Sequence, residues 1–166
     1  LTDADTSQTI TLSDLALAPP ERAIPAKSFV CNAWINVLTA FAGGGNTAVV
    51  IKLGDAAGLT QFGANLVTLP PGAWASQRHW HSDEDEFVYL LEGEVTLVED
   101  GGETLMRAGD CAAFPKGTGN GHHLINRSST MAVYLEVGSR NPNDLTTCSD
   151  IDMMSSNADG RFVHKD

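Results

Sequence analysis

The sequence predicts an all-β protein, a small barrel or sandwich. From Thr47 onward the chain breaks into short apolar or alternating runs, the breaks between them are built from Gly, Pro and Asp, and no long helical periodicity competes. A further pattern marks where chemistry is expected. His79 and His81 stand one residue apart, and Glu86 follows at the start of an apolar run that ends at Gly93.

In chain order, residues 1–28 are polar and punctuated by Pro19, Pro20 and Pro25, which reads as an arm with little regular structure. Residues 29–41 are apolar, a strand or a buried segment, and Gly43-Gly44-Gly45-Asn46 ends them with turn chemistry. The expected strands are then 47–53, 61–69, 77–81, 86–91, 94–99, 103–107, 111–114, 122–126 and 131–137. Between them lie Gly54-Asp55, Pro70-Pro71-Gly72, Glu92-Gly93, Asp100-Gly101-Gly102, Gly109-Asp110 and Pro115-Lys116-Gly117. The run after Glu86 is apolar on both faces, so its outer face calls for cover by a second sheet, the N-terminal arm or another subunit. Residues 139–166 are polar, with short strands expected at 151–154 and 161–164. The organisation predicted is an N-terminal arm and lead-in strand (1–46), a barrel (47–138) and a C-terminal tail packed on it (139–166).

Composition bounds the function. The chain has 166 residues, enough for one domain, with 42% hydrophobic and 19% charged residues. Its net charge of −11, from 21 acidic and 10 basic residues, argues against nucleic acid or an anionic membrane as partner. No stretch reaches the roughly 18 apolar residues that a spanning helix needs. Three cysteines, Cys31, Cys111 and Cys148, form no short paired spacing, and a cytoplasmic setting is expected.

Alternate residues of a strand share a face, so His79 and His81 aim in one direction. Two imidazoles and a carboxylate make a transition-metal site close to a 2-His-1-carboxylate arrangement with open positions. For Asp83, Glu84 and Asp85 a solvated charged loop is the expectation. Glu86 differs, because a carboxylate entering an apolar strand needs a cation or donors to offset its desolvation. A second stretch, 109–126, carries His122 and Asn126 at the same strand parity. Gln77 shares the parity of His79 and is a candidate to line the site. Arg78 and Trp80 fall on the opposite face, where packing is expected. Lys116, Arg107, Arg127 and Arg140 are available to hold an anion, but nothing in the sequence brings them together. Cys111 and His164 carry no functional signal beyond that of a small hydrophobe and a tail residue.

These motifs resemble those of the cupin superfamily. Gly72-(x6)-His79-x-His81-(x4)-Glu86-(x6)-Gly93 is similar to its first motif, with one extra residue after Gly72. Gly109-(x5)-Pro115-x-Gly117-(x4)-His122-(x3)-Asn126 is similar to its second, with two extra residues before the histidine. The resemblance implies a double-stranded β-helix (jelly-roll) barrel. It also implies one divalent transition metal (Zn, Mn, Fe or Ni) on His79, His81, Glu86 and His122. Spacing to Asn126 and shared parity favour His122 over His123. The stretch Gly54–Asn65 and the His164-Lys165-Asp166 ending further resemble bacterial single-domain cupins of a sugar-phosphate-isomerase-like group. That resemblance implies an isomerase moving a proton on a sugar or sugar phosphate, with a base the sequence does not name. A non-haem oxygenase of a small organic acid and a non-catalytic, metal-dependent small-molecule binding protein are the alternatives. A homodimer is expected, because a strand apolar on both faces and a long polar arm suit a shared sheet or arm exchange.

Overall fold

Twelve strands organise the structure, a computed structural model that describes residues 48–158 and 160–165. The expected arm, the lead-in strand and Cys31 lie outside the described residues. In order the elements are β1 (Val49–Lys52), α1 (Leu53–Ala56), β2 (Phe62–Leu69), β3 (His79–His81), β4 (Glu86–Glu92) and β5 (Glu94–Glu99). Then come β6 (Gly102–Arg107), β7 (Cys111–Phe114), β8 (His123–Ile125), β9 (Ala132–Ser139), β10 (Leu145–Cys148), β11 (Met154–Ser156) and β12 (Phe162–Val163).

One five-stranded antiparallel sheet runs β1-β2-β9-β4-β7; a four-stranded sheet runs β12-β11-β10-β3, and a three-stranded sheet runs β6-β5-β8. Isolated bridges, Trp74 to Ile125 and His79 to His122, tie the β3 side to the β8 side. Early strands thus lie beside late ones, β2 and β4 flanking β9 and β3 pairing β10, which is the winding of a jelly roll. The core is one cluster made by the facing sides. Val67, Leu69, Val88, Leu90, Ala132 and Tyr134 come from the five-stranded sheet, and Val95, Leu97, Met106 and Leu124 from the three-stranded one.

Several local features depart from the sequence expectation: the strand expected at 77–81 is only His79–His81, and the one expected at 151–154 begins at Met154. Gly54-Asp55 sits in a single helical turn, α1, rather than a plain turn. The tail supplies a strand at Leu145–Cys148, β10, that strand propensity did not mark. The hairpin between β4 and β5 turns on Gly93, whose φ is +75° and whose missing Cβ would stand 2.5 Å from the Met131 carbonyl oxygen.

Candidate metal centre

Strand parity places His79 and His81 on one face of β3, and their antiparallel partners, Cys148 and Thr146, share that face. Glu86 opens β4, and its cross-strand neighbours are Gly138 on β9 and Phe114 on β7. His122, just before β8, is 7% exposed and stacks flat on the Phe114 ring, with centroids 3.6 Å apart and planes 2° from parallel.

Three imidazole Nε2 atoms converge on one carboxylate oxygen. Oε2 of Glu86 lies 2.8 Å from His122, 3.6 Å from His81 and 3.9 Å from His79. His79 Nδ1 donates to the Gln77 carbonyl oxygen at 2.8 Å, so its Nε2 carries a lone pair. His81 Nδ1 donates to Asp144 Oδ2 at 2.6 Å, with the same result. Lone pairs of His79 and His81 therefore face a carboxylate oxygen with no proton between them. Acceptors that converge in this way suit a cation, and a neutral-imidazole and carboxylate donor set fits a divalent transition metal. Burial pushes the Glu86 carboxyl up, but the hydrogen bond from His122, with the imidazoles gathered round it, outweighs that and holds the group at about 2. Burial holds the His79 imidazole below its ordinary value, favouring the neutral form that binds metal.

His123 turns away from this cluster. Its Nδ1 meets the Ser76 carbonyl oxygen at 3.1 Å, and its ring packs edge-on against Trp74. Asn126 is fully buried but serves the backbone: its amide donates to the Leu69 and Thr130 carbonyl oxygens, and its oxygen accepts from Ser128. Gln77 lines a cavity of about 180 Å³ beside His79. Arg78 lies just before β3, in an ion-pair network with Asp100 and Asp150 rather than in the expected apolar packing. The other named cations are dispersed: Arg107 pairs with Glu94, Arg127 with Glu103 and Arg140 with Asp55. His164 pairs with Asp152 in the tail.

The acidic loop is a correction. Glu84 and Asp85 are not merely solvated: Glu84 accepts from the Asn141 backbone at 2.5 Å and the Asn157 amide at 2.9 Å, and Asp85 accepts from the Lys116 backbone. Burial raises the Glu84 carboxyl above its ordinary value.

Two further carboxyls escaped the sequence reading. Asp144 is wholly buried; besides His81 it accepts from the Asp83 backbone at 2.8 Å. Nothing local announces it, because its partners lie some sixty residues back. Glu136 stands on β9 opposite Val88, on the face that carries Tyr134 and Gly138, one pair removed from the Glu86 level. Asn65 donates to it at 3.0 Å, yet burial dominates and raises its carboxyl, with Glu86 adding to the effect. A lone carboxylate inside the apolar run 131–137, at the parity of Tyr134, was the available signal.

A jelly roll with three histidines and a glutamate gathered on its inner faces defines a barrel of the cupin kind. The Cupin domain family matches residues 65–138. A sugar phosphate isomerase from a cupin superfamily, of Silicibacter pomeroyi, is 50% identical, with a TM-score of 0.69 over 71% of this chain and 76% of that one. The chain belongs to the cupin superfamily. A protein of Acidithiobacillus ferrooxidans, provisionally named a sugar phosphate isomerase, is 28% identical, with a TM-score of 0.66 and the same 71% and 76% coverage. A Thermotoga maritima protein predicted to be an oxalate decarboxylase shares the fold at 24% identity, with a TM-score of 0.51 over 58% of this chain and 83% of its own. No curated protein matches. Among the described residues no helix is long and apolar enough to cross a membrane.

Proposed function

We propose that the chain is a metal-dependent enzyme that moves a proton on a small hydroxy-carbonyl molecule, an isomerase-type reaction. His79, His81, Glu86 and His122 would hold one divalent transition metal, Zn, Mn, Fe or Ni. The observation that carries this reading is the acceptor-only convergence of the His79 and His81 lone pairs on Glu86 Oε2, at 3.9 and 3.6 Å. When bound, the metal would supply Lewis-acid polarisation of the substrate carbonyl. The names of the 50% and 28% identical relatives lend support to isomerase chemistry.

Glu86 belongs to the ligand set, so a different group must carry the proton. Glu136 fits that task. Its carboxyl is on the same inner face and is raised toward neutrality by burial, which suits a group that must both take and return a proton. Glu136 would take the proton from the hydroxyl-bearing carbon, the C–H electron pair becoming the C=C bond of an enediolate while the carbonyl π pair moves onto its oxygen. The hydroxyl proton would pass to that oxygen, and Glu136 would return the carbon proton to the neighbouring carbon as the carbonyl re-forms one position along.

The experiment is anaerobic deuterium exchange. Metal-loaded protein in D2O with an α-hydroxy-carbonyl substrate is expected to exchange the hydrogen next to the carbonyl, followed by proton NMR. Glu136→Gln is expected to abolish exchange at unchanged metal content. Turnover that requires O2 would favour the oxygenase, and retention of the molecule without exchange would favour a binding protein.

We also propose that the chain pairs with a second copy through the outer face of the five-stranded sheet. Phe87 and Tyr89 there are 37% and 39% exposed, and their β9 partners are Val137 and Leu135.

A further inference from the structure

The cavity beside His79 bears on what the site accepts. Its walls are the inner face of the four-stranded sheet. Thr146 stands opposite His81 and Cys148 opposite His79, so the cavity and the candidate ligands share one surface. Ile151, Met153 and Phe162 complete the apolar side. Among the described residues no Lys or Arg lines it, and Lys165 acts on Cys148 only from a distance. Arg78, Arg127 and Arg140 are each committed to carboxylates elsewhere, and the net charge of −11 supplies no attraction for an anion. Its volume, about 180 Å³, exceeds the roughly 150 Å³ that holds a benzene ring in an engineered protein cavity.

Phosphate recognition normally draws on charge-assisted hydrogen bonds or a helix N-terminus. Moving a phosphate dianion into this cavity would set it against Cys148, Ile151, Met153 and Phe162 and leave only the neutral donors of Ser76, Gln77 and Thr146 to replace its water. An aromatic or branched aliphatic group gains by the same burial.

We propose that this cavity seats an apolar arm of the substrate, so that the molecule handled beside His79 is a hydroxy-carbonyl compound or hydroxy acid bearing an aromatic or branched aliphatic group, rather than a phosphorylated sugar. The inference rests on the metal-dependent reading of the neighbouring cluster. It narrows the substrate class from small polar molecules to amphipathic ones, with the polar head toward the ligands and the arm toward Met153 and Phe162.

The test uses the full chain and two independent readouts. By calorimetry on metal-loaded protein, phenyllactate is expected to bind about 10- to 100-fold more tightly than lactate, with 3-phosphoglycerate no better than lactate. Ile151→Asp and Phe162→Asp change rim positions that are 37% and 49% exposed, so the fold should tolerate them. Each should erase the phenyllactate advantage at unchanged metal content. On metal-stripped protein, benzyl alcohol should shift the methyl NMR signals of Met153 and Ile151. Equal affinity for lactate and phenyllactate, preference for the phosphate, or unmoved methyl signals would each overturn the inference. A chain that takes up no metal while its methyl signals still respond would instead sink the metal reading and leave the apolar cavity standing.

Discussion

Asp144 does for His81 what the Gln77 carbonyl does for His79: each accepts the Nδ1 proton and leaves Nε2 bare toward Glu86. Removing the carboxylate charge while keeping its shape should therefore act on metal affinity before it acts on fold. Asp144→Asn is expected to weaken metal binding about 10- to 100-fold in a chelator competition, whereas His79→Ala with His81→Ala should remove bound metal altogether by elemental analysis. Glu136 invites the opposite experiment, in which stability rises as activity falls. Its carboxyl is raised in the folded chain, so whatever stability it contributes is present below its ordinary value of 4.5 and is lost as pH climbs through the raised one. Glutamine does not ionise. Thermal unfolding of Glu136→Gln should match the wild type near about pH 4 and exceed it as pH rises above the ordinary value, the gap levelling off once pH passes the raised one. A wild-type chain that stays the more stable across this range would show that the carboxylate is better solvated than its burial implies.

At the level of elements, β3 is three residues long and depends on its neighbours. On one side β10 pairs with it; on the other stand the His79–His122 bridge and a hydrogen bond from the Gly117 N–H to the His81 carbonyl oxygen at 2.7 Å. Gly121 lets that junction close, since a Cβ there would stand 2.9 Å from Ser149 Cβ in the tail. Gly121→Ala is expected to cost about 1–3 kcal/mol in chemical denaturation, with Ser149→Gly in the same chain restoring most of it. Much of this architecture could be read from local sequence. Strands 94–99 and 111–114 coincide with β5 and β7, because turn residues bound them sharply on both sides. Parity likewise put His79 and His81 on one face. What stayed hidden depends on distant partners. Leu145–Cys148 has little alternation of its own and becomes a strand by pairing with β3, more than sixty residues earlier. Asp144 reads as an ordinary tail residue until that pairing buries it. Glu136 was hidden by its neighbours, as its apolar run suggested packing alone. Glu84 and Asp85 looked solvated because nothing local reveals the Asn141, Asn157 and Lys116 groups that reach them.

Across the whole molecule, the apolar outer face of the five-stranded sheet is the feature that composition least prepares for in so acidic a chain. Sedimentation is expected to give twice the 17.6 kDa of one chain, and Phe87→Lys with Tyr89→Lys to return the monomer at unchanged metal content. A wild-type species of 17.6 kDa alone would end the proposal. The late position of β10 has a consequence for how the protein is made. The ribosome releases His79, His81, Glu86 and His122 well before Asp144 and the strand that backs β3. During synthesis the nascent chain therefore carries every candidate ligand without the partner that orients His81. If the cluster holds a metal as proposed, its final form would wait until the polypeptide has emerged beyond Cys148, and a chain cut short before Asp144 would keep its histidines without the carboxylate that orients His81.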